Sequence, residues 1–156
     1  MPYDVVMLEA RRAGVFAARY DILLDGDALT RWDGSWWRAG GRFTLEGRPY
    51  EVSSKRWGSE FTLTDQTGAV VATAGRLGRR QWTLVTGGRT FQFRRASWWR
   101  QQEDLLLDDR PVGSVRLTSM WRGTARADLP GPPLPEQVFA LAIVLTMWDS
   151  QAASAA

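Results

Sequence analysis

The chain has 156 residues, of which 44% are hydrophobic and 24% charged, and its 20 basic and 17 acidic residues give a formal net charge of +3 at pH 7. These proportions fit one globular domain and exclude an intrinsically disordered chain. The absence of cysteine and histidine excludes disulfides, Ser-His-Asp and Cys-His catalytic systems, and His- or Cys-based metal sites.

We expect neither an export signal at the start of the sequence nor a membrane span near its end. Residues 1–9 include Asp4 and Glu9 but no basic residue, so we expect no secretory signal peptide and a cytoplasmic protein. The apolar stretch 138–148 is well short of the ~20 residues that cross a bilayer. We therefore expect no transmembrane span.

Residues 3–127 alternate between short runs of β-branched, aromatic and aliphatic residues and frequent turn signals. This rhythm predicts about 12 short antiparallel strands in a mostly β domain. The turn signals are Asp25-Gly26, Asp33-Gly34, Gly40-Gly41, Glu46-Gly47, Gln66-Thr67-Gly68, Gly87-Gly88 and Asp108-Asp109.

The clearest predicted hairpin runs from Arg80 to Arg95 around a two-residue turn at Gly87-Gly88. This register pairs Leu84 with Phe91 and Trp82 with Phe93, so that one face is apolar. The other face carries polar residues, as expected for a strand pair that covers a core on one side only: Gln81, Thr83, Gln92 and Arg94.

After the strands, a proline-rich linker over 128–135 leads into a predicted helix over 136–149. Pro135 suits the first helical turn, and Glu136 is favourable at the positive end of the helix dipole. Because the helix has almost no polar face, we expect it to be enclosed on all sides. Residues 150–156 are expected to form a flexible tail, so that 1–149 is a single domain.

The strand-turn-strand units 61–70 (FTLTDQTGAV) and 105–115 (LLLDDRPVGSV), followed by the apolar segment 138–149 (VFALAIVLTMWD), resemble the tubby-like superfamily. The likeness is to its small LURP-one-related branch, in which a 12-stranded barrel encloses the C-terminal helix. The resemblance implies a closed antiparallel barrel with a central hydrophobic helix. It also implies a connection with anionic phospholipids, because the superfamily includes phosphoinositide-binding tubby domains and phospholipid scramblase relatives. No individual binding residue is carried over.

Between residues 76 and 102 the chain has seven arginines and no acidic residue: Arg76, Arg79, Arg80, Arg89, Arg94, Arg95 and Arg100. In the predicted hairpin register, four of them gather at the end opposite the Gly-Gly turn, namely Arg79, Arg80, Arg94 and Arg95. Like charges across strands cost stability. The cluster therefore predicts either a bound anion or neutralisation by Asp or Glu from other strands, and the sequence allows both.

Two tryptophan pairs follow the same Ser-Trp-Trp-Arg pattern, at 35–38 and 97–100. Adjacent strand residues face opposite sides, so one member of each pair is expected to face the core and the other solvent or a partner. Trp98 and Trp99, with Arg100, are therefore candidate ligand contacts next to the arginine cluster, although most barrel tryptophans serve packing.

The acidic pairs Glu103-Asp104 and Asp108-Asp109 are interpreted as hairpin loops rather than acid-base pairs or cation ligands. We expect no catalytic residue, metal site or cofactor. The leading hypothesis is a non-enzymatic module that binds anionic phospholipid headgroups or another anionic ligand, peripheral at a membrane. The alternative is a rigid protein-protein interaction scaffold with no lipid role. An acidic protein is the other partner, besides an anionic membrane surface, that the arginine-rich stretch would suit. A nucleic-acid partner is not favoured at this net charge, and the sequence leaves the oligomeric state open.

Overall fold

The chain folds as a β-barrel with one helix inside it, in a computed structural model that describes residues 7–14, 18–35, 40–55, 58–96, 101–119 and 121–155. These ranges contain twelve strands and one helix. They are β1 (Met7–Arg12), β2 (Ala18–Leu24), β3 (Asp27–Ser35), β4 (Gly40–Leu45), β5 (Arg48–Lys55), β6 (Glu60–Thr64), β7 (Val70–Gly75), β8 (Gln81–Thr86), β9 (Arg89–Arg95), β10 (Gln102–Leu107), β11 (Arg110–Ser119), β12 (Thr124–Asp128) and α1 (Leu134–Ala155).

Every strand pairs antiparallel with its neighbours in the chain, and β1 also pairs with β12 to close the barrel. In the closing pair, Leu8 lies opposite Ala127 and Ala10 opposite Ala125. The predicted closed antiparallel barrel of about 12 strands is confirmed. Closure leaves none of the twelve described strands with a free edge that could pair with another chain.

Four hairpin turns consist of two residues that both have positive φ, namely Asp25-Gly26, Glu46-Gly47, Gly87-Gly88 and Asp108-Asp109. Two residues of this kind form the type I′ turn, whose twist matches that of the flanking strands. All four turns were predicted from the sequence. They explain why the barrel has short, regular connections at one end.

The predicted turns at Asp33-Gly34 and Gly40-Gly41 are wrong, because these residues lie within β3 and β4 and Gly34 pairs with Gly41. Glycine is required there for close approach rather than for reversal. A Cβ atom on Gly41 would lie 2.3 Å from the Asp33 carbonyl oxygen and 2.7 Å from the Trp32 ring.

The hairpin of β8 and β9 has the predicted register, with Trp82 opposite Phe93 and Leu84 opposite Phe91. All four side chains are buried, and the Trp82 and Phe93 rings stack with their centroids 4.2 Å apart. The polar residues of the hairpin lie on the outer wall, as period-2 alternation requires.

The helix α1 fills the barrel. Eight consecutive residues, 138–145, are at most 2% exposed, and they belong to the same hydrophobic cluster as the inward side chains of the strands. A helix buried on every side must be surrounded, so the prediction of enclosure is confirmed. The helix is longer than predicted at both ends, and residues 150–155, which the sequence assigned to a flexible tail, continue it.

The two ends of the barrel differ. We call the end with the four two-residue turns the entry end, because β12 stops there and α1 begins. We call the opposite end, with the connection 76–80 and the turn 121–123, the exit end. The helix runs from one to the other, since Asp149 contacts Arg12 and Tyr20, at the exit ends of β1 and β2.

Candidate functional site

The connection between β7 and β8 displays three arginines at the exit end. Arg76, Arg79 and Arg80 are all exposed, while Leu77 between them is buried and its N–H donates to the Ser59 carbonyl oxygen at 3.1 Å. The Arg79 N–H donates to the carbonyl oxygen of Arg76 at 3.3 Å. The buried leucine therefore anchors a turn from which the charged side chains point into solvent.

Arg95 does not belong to a free cationic cluster. Its Nε donates to Oε2 of Glu103 at 3.4 Å, and the two side chains are 31% and 2% exposed, respectively. Trp82 Nε1 donates to the other carboxylate oxygen at 3.0 Å. Neutralisation by an acid from a neighbouring strand, the alternative that the sequence allowed, is therefore what the structure shows for this arginine.

The placement of Glu103-Asp104 in a hairpin loop is wrong, since both residues lie in β10 and both are buried. Glu103 pairs in register with Arg95, and Asp104 with Arg94. Asp104 also accepts a hydrogen bond from Gln102 Nε2 at 2.8 Å. The predicted loop at Asp108-Asp109 is confirmed.

Burial raises the pKa of Glu103 above its usual value, and the hydrogen bond from Trp82 and the charge of Arg95 oppose this shift. A buried carboxylate is costly unless it is paired. Here its two oxygens face one indole N–H and one guanidinium. The arrangement is a structural ion pair that fixes β9 against β10.

Of the predicted site, the structure keeps Arg79 and Arg80 together, exposed at the same end. Arg94 is half-buried on the outer wall of β9. Trp98, Trp99 and Arg100 lie outside the described residues. Arg76, which was not among the predicted site residues, joins the exposed group, so we define the exit-end arginines as Arg76, Arg79 and Arg80.

A second polar cluster at the exit end holds the helix. Arg12 Nη2 lies 2.6 Å from Asp149 Oδ1 and donates to the Tyr20 hydroxyl oxygen at 2.8 Å, and that hydroxyl donates to Asp149 Oδ1 at 3.0 Å. Burial, together with the negative charge of Asp149, raises the pKa of Tyr20. This polar cluster was not predicted from the sequence, because Asp149 lies 129 or more residues along the chain from Arg12 and Tyr20.

Within the described part of the chain, no group of three or more Asp or Glu side chains could hold a metal ion. None of its helices is both long and apolar enough to span a membrane. The cationic groups at the exit end offer hydrogen-bond donors and positive charge, which suit phosphate or carboxylate oxygens.

The charges of the two ends have opposite sign. The entry-end connections carry Asp25, Glu46, Asp65, Asp108 and Asp109. Among the described residues of the exit-end connections there is no Asp or Glu, whereas the exit-end arginines and Arg122 lie there. The described connections are therefore polarised along the barrel axis, although Arg48, Arg89 and Arg110 begin the strands that follow three of the entry-end turns.

No family model matches the sequence, and no curated protein matches it either. Among solved structures, the chain is similar to the X-ray structure of a protein from Arabidopsis thaliana, with 12% sequence identity, a TM-score of 0.40 and coverage of 93% of each chain. Similarity at this level assigns neither a family nor a function.

Proposed function

We propose that this protein is a non-enzymatic binding module that docks reversibly on anionic phospholipid headgroups through the exit-end arginines. One observation carries the proposal: Arg76, Arg79 and Arg80 are exposed on the same short connection, and within the described residues none of them has an ion-pair partner. Five other arginines of the described chain form ion pairs, namely Arg11, Arg12, Arg19, Arg31 and Arg95.

Unpaired guanidinium groups are suited to phosphate because their planar N–H donors match its oxygens in pairs. Near an anionic membrane each basic residue contributes about 1 kcal/mol of attraction. Three such residues on one turn give a useful local affinity although the net charge of the whole chain is only +3. The attraction depends on where the charges lie rather than on their sum.

We further propose that the chain is a cytoplasmic, peripheral member of the tubby-like superfamily, in its LURP-one-related branch. The twelve strands, the closure of β1 on β12 and the enclosed helix after the last strand support this assignment. They are the features that the resemblance of the sequence implies.

The test is co-sedimentation with vesicles of phosphatidylcholine, with and without phosphatidylserine. We expect binding to the anionic vesicles alone, and we expect it to weaken as the salt concentration rises, because exposed charges are screened within about 8 Å at physiological ionic strength. The double variant Arg79→Ser/Arg80→Ser should lose ~2 kcal/mol, which is about 30-fold in partitioning.

A matched control is Arg48→Ser/Arg110→Ser, which removes the same charge from exposed positions at the entry end. This control should bind almost as the wild type does, and both variants should keep the wild-type melting temperature. Equal losses in the two variants would show that net charge, and not the exit-end arginines, drives binding.

Absence of binding to either vesicle at low salt would remove the phospholipid proposal. The alternative is then a rigid protein-protein scaffold, which the closed barrel with its short entry-end turns also suits. Such an interface is expected to respond weakly to salt if its core is apolar.

A further inference from the structure

Trp121 is fully exposed, at 100% of its accessible surface. The other tryptophans with described side chains are buried, with Trp32 and Trp82 at 1% and Trp148 at 8%. An aromatic side chain that has its whole apolar surface in water gains stability wherever it can remove that surface from water. Its exposure contributes nothing to the core of this barrel.

The turn that carries Trp121 is held on both sides. The Arg122 N–H donates to Ser119 Oγ at 3.2 Å, and the Arg12 N–H on β1 donates to the Gly123 carbonyl oxygen at 3.1 Å. Gly123 has a φ of +60°, and a Cβ atom there would lie 2.9 Å from Cβ of Arg12. A tight, hydrogen-bonded turn thus presents the indole outward.

Trp121 and Arg122 lie at the same end of the barrel as the exit-end arginines, but not next to them. The connection β7–β8 and the turn β11–β12 are four strand spacings apart, or roughly 19 Å along the wall at ~4.8 Å per strand. A partner that contacts both must be broad. It must also be anionic, because the exit end is cationic and the entry-end turns are acidic.

We propose that the barrel stands on an anionic bilayer by its exit end, with the Trp121 indole inserted at the boundary between headgroups and acyl chains. This inference rests on the proposed function and adds an anchor and an orientation to it. Tryptophan favours that boundary because its ring is apolar and its N–H is polar. A bilayer is wide enough to meet the arginines and the indole together.

The absence of cysteine from the chain allows a direct test with one introduced thiol. Trp121→Cys and, as the control at the entry end, Asp109→Cys are each labelled with the environment-sensitive dye NBD. On phosphatidylserine-containing vesicles we expect a blue shift and stronger emission from position 121 only. Doxyl-labelled lipids with the spin label just below the headgroup should quench that emission.

Unlabelled Trp121→Ala should bind these vesicles about tenfold more weakly than the wild type, with an unchanged melting temperature, and Trp121→Phe should recover part of the loss. Vesicle binding that still needs Arg79 and Arg80 but leaves the label at 121 in water would overturn the insertion and keep the proposed function. A blue shift in the emission of the label at position 109, and not at position 121, would overturn the proposed orientation of the barrel on the bilayer. No vesicle binding by the unlabelled wild-type protein would overturn both proposals.

Discussion

Glu103 determines which arginine of the β8–β9 hairpin is neutralised within the protein. One carboxylate oxygen of Glu103 accepts a hydrogen bond from Trp82, and the other is paired with Arg95. Arg95, which the sequence predicted as a ligand contact, is therefore bound within the barrel wall. The exposed arginines of the neighbouring connection have no such partner among the described residues. Glu103 therefore neutralises Arg95, whereas the positive charges of the exit-end arginines are left free to bind a ligand.

The raised pKa of Glu103 makes a prediction about stability and pH. Because burial raises the pKa above 4.5, the folded protein binds this proton more tightly than the unfolded chain does. The contribution of Glu103 to stability is therefore fully present below pH 4.5 and is lost as the pH rises through the folded-state pKa. Glu103→Gln removes the titration and keeps an acceptor for Trp82.

Urea unfolding of both proteins, at pH values below 4.5 and at neutral pH, measures this effect. We expect the free energy of unfolding of the wild type to fall relative to that of Glu103→Gln between the two conditions. A difference that stays constant, or that changes in the opposite direction, would contradict the assignment of the shift to burial.

Single residues of the site were only partly predictable. Glu103 lies one residue past the acid-free stretch, and its adjacency to Asp104 favoured a loop. The alternation of strand residues could have indicated its position, because Glu103 and Leu105 are two residues apart and therefore face the same side of β10, towards the core. The exposure of Trp121 has a weaker signal, the following Arg122-Gly123, which marks a turn. Exposure itself depends on which strands surround that turn.

At the scale of elements, the helix is the part of the barrel that least tolerates charge. Ile143 lies at the middle of the buried run and is 0% exposed. Ile143→Asp would place a carboxylate in the barrel without a partner, which costs several kcal/mol. That is a large part of the ~5–15 kcal/mol that stabilises an ordinary domain.

We expect Ile143→Asp to prevent folding, whereas Gln151→Asp, at an exposed position of the same helix, should leave the melting temperature within a few degrees of the wild type. Near-ultraviolet circular dichroism is the suitable measurement because so many tryptophans report on packing. A folded Ile143→Asp protein with wild-type stability would mean that the helix leaves the barrel easily.

Elements were more predictable than their ends. The hairpin of β8 and β9 was predicted in register because Gly87-Gly88 favours a two-residue turn and the flanking residues alternate cleanly. The helix was placed correctly, but its extension through residues 150–155 was missed. Small polar residues there offer no core-facing pattern, although alanine has a high helix propensity that could have indicated it.

For the molecule as a whole, we expect the separation of charge along the barrel axis to control the proposed docking on a membrane. Strands of about six residues are about 20 Å long, which exceeds the ~8 Å screening length at physiological ionic strength. Charges at the entry end should therefore have little effect on a membrane held at the exit end. Their influence should appear only when the salt is diluted.

Asp108→Asn/Asp109→Asn tests this separation, because asparagine tolerates the positive φ of that turn. The variant loses two negative charges, so its net charge rises by two, which is the amount by which Arg79→Ser/Arg80→Ser lowers the net charge. At physiological salt we expect its partitioning onto phosphatidylserine-containing vesicles to change less than about twofold. If partitioning increased by as much as it falls in the arginine variant, the net charge of the chain, and not the position of the charges, would control binding.

Closure of the barrel depends on the pairing of β1 with β12. This pairing places Leu8 opposite Ala127, two residues that are far apart in the sequence. No local pattern in the sequence encodes that contact. Closure was predicted from the resemblance to the tubby-like superfamily, and the need of an apolar helix for an enclosure agrees with it. The charge polarity was not inferable, since it requires knowing at which end each turn lies.

The position of α1 also has a consequence for biosynthesis. All twelve strands emerge from the ribosome before the helix that fills their interior. Their inward apolar faces therefore cannot be covered by the helix until it has been translated. Pairing of β1 with β12 also demands long-range search, which slows folding. A nascent chain of this kind exposes apolar surface for longer than one whose core is local, and we therefore expect it to be prone to aggregation until the helix has been translated.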